Sequence, residues 1–321
     1  MKRFCLSLAL AAIALAVPAA QADADTQATP QAGETAPAAK PPAGANLSGV
    51  TIVAPQNDPL VDAASQYVRS HLPVSTFTEQ YPRFHEPICV KVQGLPAEFN
   101  AFVAKRVVDL AASVNARVAS SSDCRANIHV IFDPEPQALM SDIARRRDIL
   151  LGFYWNDRQL KQMSTFNRTI GSWYVTRTLD QFDISRLEQH DPSAYLDPPK
   201  GRAGSRLGSD MRSDLMHTLI VADSKKVADA KIGAVADYIA VLALAKWQGV
   251  EQCNTMPTIL NLMADGCETD QVPDTATPAD IGLLKGLYAV ADRVSGSQQR
   301  MAIADRIESE MKKAAEDGGS R

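Results

Sequence analysis

The sequence predicts an α+β domain in which strands and helices mix in the N-terminal part and a helical C-terminal part follows. Three observations carry that reading. Pro87-Ile88-Cys89-Val90-Lys91-Val92 alternates and is β-branched, as a strand does, and Asn127-Ile128-His129-Val130-Ile131-Phe132 reads as a second strand. The span Ile232 to Trp247 is apolar almost all round, which marks a helix buried from several directions. Thr277-Pro278-Ala279-Asp280 then opens a helix with a capping hydroxyl, a first-turn proline and an acid three residues after the cap. Strands early and helices late fit the α+β class.

Taken in order, the chain begins with the three parts of a signal peptide. Lys2 and Arg3 are the positive region, Phe4 to Val17 the apolar region, and Ala20-Gln21-Ala22 the small-x-small processing site after Pro18. Residues 1–22 are therefore expected to be removed. The apolar run is about 14 residues, short of the ~20 that span a bilayer, and no transmembrane segment is expected in the mature chain. Cys5 lies at the front of that run, which argues against a lipid-modified N-terminal cysteine. Residues 23–47 are rich in Ala, Pro, Thr and Gln, too poor in apolar surface to offset ordering entropy, and read as a disordered tether. One globular domain is expected over 48–316, with a flexible tail at 317–321.

Within the domain, Asp58-Pro59 opens a helix to about His71. The run 87–92 is the first strand. Pro96 suits a first helical position, and Phe99, Phe102, Val103, Val107, Leu110 and Val114 recur at helical spacing. The run 127–132 is the second strand. Arg145-Arg146-Arg147 reads as a solvated turn of helix, with an anion site as the alternative. Ile149 to Trp155 fits either a helix end or a strand, while Ser172–Thr178 and Leu215–Val221 read as strands. Residues 201–212 resemble a phosphate-cradling loop but lack its GK[ST] ending, and a mobile surface loop is the better reading. Thr255–Met263 reads as a short helix, and a last amphipathic helix spans roughly Ser297 to Ala315.

Removing the signal leaves Cys89, Cys124, Cys253 and Cys267, an even set that favours disulfides in an exported chain. Cys89–Cys124 and Cys253–Cys267 are the favoured pairs, because each lies within one segment and the first joins two neighbouring strands. Clustered CxxC or HxxxH spacing is absent, so no metal is expected. A hydrophobic content of 45% supports a sizeable core, and the net charge of −4 argues against nucleic acid as a partner.

Catalytic signatures are missing. There is no GxSxG elbow and no glycine fingerprint for a dinucleotide, so no cofactor is expected. His71, His85, His129, His190 and His217 have no partner three or four residues away. His129 and His217 fall within predicted strands, where a hydrogen-bonded structural role is the first expectation. Asp237 stands out as a carboxylate in the middle of the most apolar helix, where an ionised group needs a partner. It reads either as an acid/base group or as a structural acceptor for backbone amides or an arginine such as Arg177.

The run Ile232-Gly233-Ala234-Val235-Ala236-Asp237-Tyr238-Ile239-Ala240-Val241-Leu242-Ala243-Leu244-Ala245 is similar to a segment of exported Gram-negative proteins of unknown function. Thr277-Pro278-Ala279-Asp280-Ile281-Gly282-Leu283-Leu284-Lys285-Gly286-Leu287-Tyr288 belongs to the same pattern. The layout also resembles a secreted, zincin-like family of unknown function, and implies a buried metal-ligand helix with a T-x-x-D-x-x-L-L-x-x-L-Y helix packed behind it. A zincin helix needs two histidines four apart with a glutamate beside the first. The corresponding Ala236-Asp237-Tyr238-Ile239-Ala240 has none, so the resemblance implies a degenerate zincin-like arrangement without peptidase activity. The expected product is a periplasmic or secreted protein with a non-catalytic binding or envelope-associated role. Its alternatives are a hydrolase or peptidase with a site near Asp237, or a cell-wall interaction partner on the Ala/Pro-rich arm.

Overall fold

The computed structural model describes residues 58–75, 78–121, 123–179, 185–188 and 211–319. The expected signal peptide, the tether and most of the 201–212 loop lie outside the described residues, as does His190. Among the described residues five strands form one mixed sheet: β1 (Val90–Gln93), β2 (Ile128–Asp133), β3 (Ile170–Leu179), β4 (Ser185–Glu188) and β5 (Arg212–Asp223), in the order β1-β2-β5-β3-β4. β1, β2 and β5 run parallel, and β3 and β4 complete the sheet antiparallel. The helices are α1 (Pro59–His71), α2 (Ala97–Ser113), α3 (Pro136–Arg146), α4 (Asp157–Met163), α5 (Ile232–Leu244), α6 (Pro278–Ala289) and α7 (Gly296–Gly319). The class is α+β, as the sequence predicts.

The sheet separates two apolar layers. Ile128, Val130 and Phe132 of β2 join Ile220 and Ala222 of β5 in the larger one, beneath α2 and α5. On the other face Leu219 and Val221 pack against Met140 and Ile143 of α3 and against Leu151. β5 is central, parallel to β2 and covered on both faces, which is why Leu215 to Ala222 is largely apolar. β2 is mixed: its even positions are buried, and its odd positions His129 and Ile131 face the α3 side half-covered.

α5 is buried from Ala234 through Leu244, as its all-round apolarity demands. Its last four carbonyls have no intrahelical donors, and each finds a side chain instead. Trp247 Nε1 donates to Val241 O at 3.0 Å, Tyr174 Oη to Leu242 O at 3.0 Å, Thr218 Oγ1 to Ala243 O at 3.1 Å and Tyr288 Oη to Leu244 O at 2.8 Å. Behind α5, α6 starts at a reciprocal capping box. Thr277 Oγ1 accepts from Asp280 N at 3.2 Å, and the Asp280 carboxylate accepts from Thr277 N at 2.9 Å. The Thr–Asp–Leu-Leu–Leu-Tyr pattern is thereby accounted for as a cap, a core stripe and a terminal hydroxyl that closes the neighbouring helix.

Both expected disulfides form. Cys89–Cys124 spans 35 residues and Cys253–Cys267 spans 14, with Cα separations of 6.0 and 5.0 Å. Cys89 stands just before β1 rather than inside it. Four further expectations need correction. Phe99 and Phe102 belong to the predicted stripe of α2 but remain 40% and 44% exposed, because Val103, Val107, Leu110 and Ala111 form its buried face. Ile149 to Trp155 is neither a helix end nor a strand, but a 3₁₀ turn, Asp148–Leu151, followed by loop. Thr255–Met263 contributes only a 3₁₀ turn, Ile259–Met263, because Asp280 takes the Ile259 N–H and Asn261 turns its amide to Asn254 and Gln271. The final helix continues to Gly319, through residues expected to be tail.

Candidate functional site

His129 of β2 pairs in register with Leu219 of β5, and His217 lies two residues before Leu219. The two rings are therefore diagonal neighbours on the α3 side of the sheet. His129 Nδ1 is 2.7 Å from His217 Nε2, with the rings stacked at a centroid distance of 5.0 Å. A β-bulge helps to place His217. The pairing with β3 steps from Val175↔His217 to Thr176↔Leu215, which leaves Met216 as the extra residue.

Burial and the nearby Lys91 lower the His129 pKa; burial, then His129 itself, lowers His217 to about 4. The pair is thus neutral at pH 7, one ring N–H donating to the other ring. His217 Nδ1 is buried and, among the described residues, has no hydrogen-bond partner.

Above the histidines a cleft opens in two connected lobes of about 590 and 600 Å³, which share Arg125, Ala126, Arg147, Ile149, Leu150 and His217. Ile131 and Leu219 form its floor beside the rings. Lys91, Arg125 and Arg147 stand at its edge, and all three are exposed. Among the described residues none of these three has an ion-pair partner, whereas Arg145 and Arg146 both bind Asp142 on the solvent side of α3. The basic run is thus divided: two arginines belong to a solvated helix turn, and the third, Arg147, faces the cleft. Among the described residues Glu86 is the one carboxylate in the lining, and it lies 3.2 Å from Arg177.

The Cys89–Cys124 disulfide fixes the position of Arg125, because it ties the preceding loop to the start of β1. Asn127 adds a second tie, accepting from Cys89 N at 2.8 Å and donating to Pro87 O at 3.1 Å. The arrangement offers positive charge and ring nitrogens over an apolar floor. Chemically it can hold an anion. Two other clefts, of about 360 and 540 Å³, flank Arg168, but that cation is matched by Glu251 at 2.7 Å.

Asp237 lies elsewhere, between α5 and α2. It is 2% exposed, with both oxygens engaged by Arg106 Nε and Nη2 (the latter at 2.8 Å) and one also accepting from Ala276 N at 2.9 Å. Its arginine is Arg106, not Arg177. Arg177 instead binds the buried Asp214 at 2.8 and 3.0 Å, together with Arg212 Nε at 3.0 Å. His85 bridges this group to Asp292. Its Nε2 is hydrogen-bonded to Asp292 at 2.8 Å, and its Nδ1 lies 2.7 Å from Asp214 Oδ1 without an aligned N–H. Burial would raise both carboxyls, but the His85 contact first and then arginine (Arg177 and Arg212 at Asp214, Arg83 and Arg212 at Asp292) hold them below their ordinary value. Among the described residues no three His, Cys, Asp or Glu side chains gather as a metal cage needs.

These shifts set the response to acid. A depressed histidine contributes fully above its unfolded value of ~6.5, and the contribution is lost as pH falls toward the folded value. A depressed carboxyl contributes fully above its unfolded value near ~3.9 and loses that contribution only as pH falls lower. Stability is therefore expected to fall in two stages, the first from the His129–His217 pair and the second from Asp214 and Asp292. Urea midpoints measured across that range check this, and a midpoint unchanged between about pH 7 and pH 4.5 would contradict the neutral pair.

The sequence placed His129 and His217 in strands but gave no sign that they meet. Arg147 is visible in the sequence only as part of a basic run, and neither Lys91 nor Arg125 carries a signal of its own. No protein-family model matches the chain, and no curated protein or solved structure matches it.

Proposed function

We propose that the chain is an exported, non-catalytic binding protein of the bacterial envelope, and that it holds an anionic ligand in the cleft over His129 and His217. One observation carries the reading: among the described residues Lys91, Arg125 and Arg147 have no ion-pair partner, and they stand around an apolar floor beside a buried ring nitrogen with no hydrogen-bond partner there. Two disulfides support an oxidising compartment. Among the described residues no helix is long and apolar enough to cross a membrane. On this reading the zincin-like resemblance describes a scaffold: the buried helix α5 carries Asp237 as a structural acceptor, and binding takes place on the opposite face of the sheet.

Equilibrium dialysis at low ionic strength against inorganic phosphate, citrate and octanoate tests the proposal. At least one anion is expected to bind stoichiometrically, and the Arg125→Ala/Arg147→Ala double variant should bind it about tenfold more weakly, a loss of ~1.4 kcal/mol. Failure of every anion, or equal binding by the double variant, would overturn the reading. Peptide or ester hydrolysis abolished by Asp237→Asn in a protein of unchanged stability would establish the hydrolase alternative instead.

A further inference from the structure

Resting on that binding reading, we infer that the ligand is a single-chain amphiphile, whose anionic head lies among Lys91, Arg125, Arg147 and the histidine pair and whose apolar tail lies under Ile149.

The 3₁₀ turn Asp148–Leu151 presents two apolar side chains in opposite directions. Leu151 is 1% exposed and anchors the turn in the layer beneath β5, while Ile149 is 40% exposed over the cleft. The turn is held in that pose by Gly152. Its φ is +82°, and a Cβ there would fall 2.2 Å from the Tyr174 carbonyl oxygen, so only glycine fits. Ile149 is therefore fixed at an exposed position by the residues around it. Leu150 lines both lobes beside it, and Ile131 and Leu219 face it from the sheet.

An inorganic anion would reach the cations but leave this apolar lining wet. A neutral or cationic chain would cover the lining but find no opposite charge beyond Glu86, which Arg177 already contacts. An anionic head with an alkyl tail answers both surfaces, and the head can be a carboxylate, a sulfonate or a phosphate monoester.

The test is a calorimetric series on the mature protein, with sulfate, hexanesulfonate, octanesulfonate and decanesulfonate as probes, all below micelle formation. Affinity is expected to rise up to about fourfold per methylene added. Ile149→Ser, at an exposed site where folding is not at stake, should flatten that slope without abolishing octanesulfonate binding. Decyltrimethylammonium should bind at least about thirtyfold more weakly than decanesulfonate. Octyl phosphate and octanoate should bind like octanesulfonate; binding by one of them alone would narrow the head group and still support the amphiphile. Sulfate binding as tightly as octanesulfonate would overturn the amphiphile while leaving an anion site standing. Absence of binding by every anion would bring down the underlying reading with it. Equal affinity for decyltrimethylammonium, or binding only to anionic phospholipid vesicles, would also overturn the inference, as non-specific apolar capture or membrane docking.

Discussion

Replacing Asp280 with alanine is expected to lower the unfolding free energy by about 4 kcal/mol, a large share of the ~5–15 kcal/mol that holds a domain folded. Asp280 is 1% exposed and accepts from the Thr258 hydroxyl at 2.6 Å, Ile259 N at 2.8 Å and Thr277 N at 2.9 Å, while the one Thr277 hydroxyl proton is shared between Asp280 at 3.0 Å and Pro257 O at 2.8 Å. Alanine leaves two buried N–H groups without an acceptor and opens the start of α6, and each unmet donor costs about 1–3 kcal/mol. Asparagine should be much milder. Oδ2 accepts both backbone N–H groups, so an amide oxygen can stand there, and the amide nitrogen then faces the Thr258 hydroxyl, which can rotate to accept. Urea unfolding of Asp280→Ala and Asp280→Asn measures the contrast. A loss under about 1 kcal/mol for alanine would contradict the assigned network.

Gly282→Leu should cost about 3 kcal/mol or more, against the usual gain of up to ~1 kcal/mol when a helical glycine is replaced. A Cβ at Gly282 would lie 2.6 Å from Ile307 Cα and 2.9 Å from Arg306 O, both backbone atoms of α7. Gly286, one turn later, meets Ile303 Cα at 2.7 Å. The two glycines let α6 and α7 approach at backbone distance, so any side chain there must separate the helices. Gly233→Ala in α5 is the control: nothing lies within 4 Å of its Cβ, and it should be neutral or stabilising. Thermal unfolding of the two variants reads the difference, and a Gly282→Leu protein as stable as the parent would contradict the close α6–α7 contact.

The framework was legible wherever one physical signal dominated. Alternation marked β1, all-round apolarity marked α5, and the Thr-Pro-x-Asp cap marked α6. The even cysteine set gave both disulfides, because each pair is local. What stayed hidden depended on long-range placement. Thr255–Met263 has helical composition, yet Asp280 takes the Ile259 N–H that an α-helix from Thr255 would need, and only a 3₁₀ turn forms. The partner of Asp237 could not be told from its helix, since Arg106 is 131 residues away on α2. The candidate site was the least legible of all. His129 and His217 meet only because β5 enters the sheet between β2 and β3, and nothing in either strand's own sequence states that order.

The central claim is that an anion binds against the His129–His217 pair. Its most direct test is a titration of the mature protein with decanesulfonate at about pH 6, following the histidine ring nitrogens by NMR. An anion placed there favours the protonated rings, so the His129 and His217 signals should shift and their apparent pKa values rise, by linkage. His71 and His85, outside the cleft, should not move. Unchanged His129 and His217 signals at saturating ligand, or equal shifts at all four rings, would contradict the account.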